Sequence, residues 1–65
     1  MAMWEFVEVA LGPSTYRGRF RVEGGRLVLE WGGGRVTEWL GMLKPDIVAT
    51  MLLKKLATWM AAAAA

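Results

Sequence analysis

Residues 16–31 read Tyr-Arg-Gly-Arg-Phe-Arg-Val-Glu-Gly-Gly-Arg-Leu-Val-Leu-Glu-Trp. Gly24 and Gly25 separate two runs of β-forming residues. A two-residue hairpin turn needs positive φ angles, which glycine adopts without a Cβ clash. The turn predicts Val22 opposite Leu27, Phe20 opposite Leu29 and Gly18 opposite Trp31. Between them fall Glu23 with Arg26, Arg21 with Val28, and Arg19 with Glu30. One face is then apolar, while the other carries two cross-strand pairs of opposite charge. Both patterns demand the same register. A tryptophan opposite a strand glycine can also cover the backbone that the glycine exposes.

Upstream, Met3 to Leu11 reads as a further strand. A three-residue loop, Gly12-Pro13-Ser14, pairs Leu11 with Thr15, Ala10 with Tyr16, Phe6 with Phe20 and Trp4 with Val22. It sets Glu5 opposite Arg21. The predicted core face is Trp4, Phe6, Ala10, Tyr16, Phe20, Val22, Leu27, Leu29 and Trp31, with Glu8 an unexplained polar member beside Gly18. Downstream, Gly32-Gly33-Gly34 breaks the chain, and Arg35 to Leu40 reads as a short fourth strand rich in extended-backbone formers.

Pro45 suits a first helical turn, and Asp46 suits the positive end of a helix. The helix is predicted from Pro45 to about Met60. Val48, Met51, Leu52, Leu56 and Trp59 form an apolar stripe at helical spacing, with Thr50, Lys54 and Ala57 opposite. The expected fold is α+β: an antiparallel three- to four-stranded β-meander with one C-terminal helix packed on one face. Residues 1–60 form a single domain. Ala61 to Ala65 is an alanine tail, either an extension of the helix or residues added to the natural chain.

The stretch Tyr16 to Gly25, followed by Met51-Leu52-Leu53-Lys54-Lys55-Leu56-Ala57, resembles a group of short uncharacterised bacterial proteins. In that group a Tyr-Arg-Gly strand enters a Gly-Gly hairpin and a leucine-rich C-terminal helix follows. The resemblance implies the same fold and carries no activity.

Composition limits the chemistry. The chain has 65 residues, no cysteine and no histidine. Disulfides and Cys/His zinc sites are therefore excluded. No nucleophile can be given a histidine base, Gly32-Gly33-Gly34 lacks the ending of a phosphate loop, and no cofactor or enzymatic activity is expected. A chain this short buries only about 60% of the surface exposed on unfolding. Yet 55% of its residues are hydrophobic. Surplus apolar surface points to a partner, most simply a second copy. The leading expectation is a small self-associating interaction module, a homodimer or the docking partner of another protein. Val7, Val9, Val28, Trp39 and Trp59 are its candidate surface.

The alternative is nucleic-acid binding through Arg17, Arg19 and Arg21, which alternate along one strand and point to one face. Glutamates balance that face, and stacking aromatics are not apparent there. Residues 46–65 are mostly apolar, but Lys54 and Lys55 would each cost about 2.5–3.5 kcal/mol at a bilayer centre. A membrane span is not expected, and a helix lying on a membrane surface is a third, weaker reading. A cytoplasmic location is expected.

Overall fold

The computed structural model describes residues 3–64. Four strands, β1 (Glu5–Leu11), β2 (Ser14–Glu23), β3 (Arg26–Trp31) and β4 (Gly34–Trp39), precede one helix, α1 (Pro45–Ala64). The strands form one antiparallel meander in the order β1-β2-β3-β4, and α1 packs on one face of it. The fold is α+β, as the hairpin pattern indicates.

The β2–β3 register is the expected one, from Glu23–Arg26 through Phe20–Leu29 to Gly18–Trp31. Gly24 and Gly25 both have positive φ, 55° and 76°. The β1–β2 register is not the expected one. The connection has two residues, Gly12 and Pro13, and it closes on Leu11–Ser14. Gly12 takes φ 60° and proline supplies a negative φ after it, a combination suited to a tight hairpin. The strand is therefore displaced by one residue. A one-residue slip exchanges the faces of every side chain. Val7, Val9 and Leu11 turn toward α1, whereas Phe6, Glu8 and Ala10 turn away from it. Trp4, Phe6 and Ala10 are thus not core residues. Glu8 lies opposite Arg17 rather than beside Gly18, which removes its anomaly.

The core comprises Val9, Phe20, Leu27, Leu29, Leu40, Val48, Ala49, Leu53 and Ala57. On α1 the buried line is Ala49, Leu53 and Ala57, at i, i+4 and i+8, with no exposed surface on any of the three. Two alanines let the helix approach closely, and Leu53 reaches Gly18. The helix is consequently rotated from its predicted setting. Ala57 lies inside, while Met51 and Trp59 are 66% and 74% exposed. The helix also continues through the alanines to Ala64, in keeping with alanine's helix propensity.

Gly18 serves helix and sheet rather than the Trp31 ring. A Cβ there would meet the Glu30 carbonyl oxygen at 2.8 Å and Leu29 Cδ1 at 3.3 Å. The Trp31 ring lies instead against Gly33 and Gly34. Leu40, just past β4, is buried, and its amide donates to the Gly25 carbonyl. Among the described residues, no helix is long and apolar enough to cross a membrane.

Candidate nucleic-acid interface

The outer face of the sheet is the one α1 leaves uncovered. Alternation along each strand sets Phe6 and Glu8 of β1, Arg17, Arg19 and Arg21 of β2, Arg26, Val28 and Glu30 of β3, and Arg35, Thr37 and Trp39 of β4 on it. Trp4 joins them one step before β1, under the guanidinium groups of Arg19 and Arg21. Their Cζ atoms stand 4.2 and 4.6 Å from the ring centroid. Arg26 lies over Trp39 in the same way, at 4.4 Å.

All five arginines of the chain lie on this face. So do three acids, Glu8, Glu23 and Glu30, giving +5 − 3 = +2. The remaining charged residues are Lys44, Lys54 and Lys55 against Glu5, Glu38 and Asp46, which cancel. The entire formal net charge of +2 is therefore carried by one face of the sheet.

The arginines are held in ordered positions. Arg17 Nε donates to Glu8 Oε2 at 2.6 Å. Arg19 Nε donates to Glu30 Oε1 at 2.9 Å, and Arg35 Nε donates to Glu30 Oε2 at 2.8 Å. Arg21 pairs along its own strand with Glu23 at 3.0 Å rather than across to Glu5, which lies opposite Phe20. Arg26, free of Glu23, stacks on Trp39. The hydrogen bonds from Arg35 and then Arg19 hold the Glu30 carboxyl below the usual carboxylate value. Exposed pairs of this kind contribute little net stability, so the guanidinium groups can exchange partners with an incoming anion.

Of the sequence-designated arginines, Arg17, Arg19 and Arg21 lie together where expected. The designated self-association residues do not form one surface. Val9 is buried and Val7 is packed against the core beneath α1, both displaced inward by the β1 register. Val28 stays on the outer face but is buried, between Arg21 and Thr37 in the cross-strand ladder. Trp39 and Trp59 are exposed on opposite faces. Sequence reading missed the aromatic members Trp4 and Phe6. The signal was available in the alternation Val7, Val9, Leu11, whose inward placement would also have matched Glu8 to Arg17.

Two shallow depressions flank the arginine row. One, ≈ 320 Å³, is lined by Phe6, Arg17, Gly18, Arg19, Glu30 and Trp31. The other, ≈ 460 Å³, lies among Glu23, Arg26, Val28, Thr37 and Trp39. Phe6 is 84% exposed and Trp39 66%. Among the described residues, no group of acidic side chains is placed to hold a metal ion. Comparison with protein families, curated proteins and solved structures finds no match.

Proposed function

We propose that the outer sheet face binds a single-stranded nucleic acid, with arginines on phosphates and the exposed ring of Phe6 on a base. The observation that carries this reading is the β1 register, which brings Trp4 and Phe6 onto the arginine face. Arg17, Arg19 and Arg21 repeat at about 7 Å along one extended strand, a row that an extended phosphate backbone can follow. Guanidinium groups match phosphate oxygens, and every base has a π-face that an exposed ring can stack on without sequence preference. Such a protein would act in the cytoplasm.

Fluorescence anisotropy with a labelled oligouridylate and its duplex counterpart tests the reading. Binding is expected for the single strand at low salt, weakening as salt rises with a logarithmic slope near −0.7 for each phosphate neutralised. Phe6→Ala is expected to weaken binding by about 1–3 kcal/mol, the usual range for one stacked base. Arg17→Gln together with Arg35→Gln should reduce the salt slope. Glu30→Gln, which releases Arg19 and Arg35, should tighten binding. Absence of binding to the single strand at low salt overturns the proposal.

A further inference from the structure

The sheet has two open edges, β1 and β4. They differ in what could pair with them. A two-residue turn closes the β3–β4 hairpin at Trp31–Gly34, and residues in an antiparallel ladder exchange hydrogen bonds at alternate pairs. Counting back from the turn, Gly34, Val36 and Glu38 bond to β3. Arg35, Thr37 and Trp39 are left with amide and carbonyl groups turned outward.

Edge strands are commonly blunted by proline, lysine, a bulge or a covering helix. β4 has no proline and no lysine, its charges are one arginine and one glutamate, Arg35 and Glu38, and its pairing to β3 is continuous. The helix packs on β1, β2 and β3, leaving an open groove beside β4 lined by Val36, Glu38, Leu52, Lys55, Leu56 and Trp59.

From these features we propose that β4 pairs antiparallel with β4 of a second copy of this chain, forming a twofold dimer with one eight-stranded sheet. Across such an axis, residues on the same face must oppose, so the axis passes at a residue. Centring it on Thr37 uses every open amide and carbonyl of Arg35, Thr37 and Trp39 in both copies. That register sets Arg35 opposite Trp39 of the second copy. The chain already stacks Arg26 on Trp39 from the directly opposed position of β3. The dimer repeats this geometry from the other side, so each Trp39 ring lies between two guanidinium groups.

On the helix side the two grooves meet, and the same register sets Val36 opposite Glu38 of the second copy. β1 offers no equivalent. The same count leaves Phe6, Glu8 and Ala10 outward there, and the register using all three sets Glu8 against Glu8 of the second copy, a repulsive pair. Joining β4 edges makes the two arginine faces continuous. Self-association at β4 does not depend on what that face binds.

Sedimentation equilibrium of the full chain without nucleic acid provides the first measurement. The apparent mass is expected to rise with concentration from 7.2 kDa toward twice that value. Thr37→Pro removes an outward amide while sparing the β3 ladder, and proline is tolerated on a strand edge. This variant is expected to keep its circular dichroism and remain monomeric. Thr37→Cys introduces the only thiol in the chain, at the twofold axis. Mild oxidation should give a covalent dimer of Thr37→Cys, whereas Thr50→Cys on the exposed side of α1 should give little. A monomer at every concentration, leaving the edge to a foreign strand, overturns the proposal. So does a dimer that persists in Thr37→Pro. If Thr37→Pro fails to fold, the oxidation decides: equal cross-linking of Thr37→Cys and Thr50→Cys is the overturning result.

Discussion

The two faces of this sheet are built by different physics. Beneath α1, Val9, Phe20, Leu27, Leu29, Leu53 and Ala57 are in mutual apolar contact, with almost no exposed surface. On the outer face only Val28 is buried, and order comes from guanidinium groups stacked on rings or bonded to glutamates. The inner face gains stability from area removed from water, at about 25 cal/mol per Å². The outer face gains little net energy from each contact, yet it fixes where five positive charges stand. A surface can thus be ordered without being energetically committed. That combination leaves its groups available to a ligand at small cost to the fold.

The contrast can be broken most severely from the inside. Leu53→Ala removes a fully buried side chain between helix and sheet and is expected to destabilise by about 2–5 kcal/mol, read as a fall in the urea midpoint. In so small a domain, that loss is a large fraction of the total stability. Arg17→Gln on the outer face should change the stability read from the same midpoint by no more than about 0.5 kcal/mol, a surface-substitution effect. Comparable losses from the two variants would contradict the division of labour.

A smaller effect is expected where helix and sheet come closest. Gly18→Ala forces a methyl against the Glu30 carbonyl and Leu29, and the shift required should cost about 1–3 kcal/mol by thermal unfolding.

The smallest effect belongs to Glu30. Its carboxyl titrates below the ordinary value of 4.5 in the folded state because Arg35 and Arg19 hydrogen-bond to the ionised form. Folding therefore favours the carboxylate. The associated stability is fully present above the unfolded value and is lost as pH falls through the lower folded value. Urea midpoints measured from pH 6 downward should decline more for the natural chain than for Glu30→Gln below about pH 4.5, where the unfolded carboxyl takes up its proton. Parallel curves for the two proteins would remove Glu30 from the set of stabilising carboxylates.

Several elements were legible without coordinates. The double glycine at 24–25 set the β2–β3 register, because both residues must take positive φ and the flanking pairs agree in polarity and charge. The fourth strand and the helix start at Pro45 were readable for similarly local reasons. The arginine row followed from simple alternation. What could not be read was the company those arginines keep. Gly12-Pro13-Ser14 admits a two- or a three-residue loop, and the choice moves Trp4 and Phe6 between core and surface. Helical periodicity likewise indicated an apolar stripe without fixing which edge of it would touch the sheet.

Local backbone chemistry, then, was sufficient to specify the elements, their order and the central hairpin. Which face β1 presents, and how α1 is rotated, were decided only when the whole chain packed. Val7, Val9 and Leu11 fit beneath the helix once Ala49 and Ala57 allow close approach, and Leu53 seats over a strand residue that has no side chain. These are preferences of shape between segments distant in sequence, and burial settles them because each alternative would leave aliphatic surface in water.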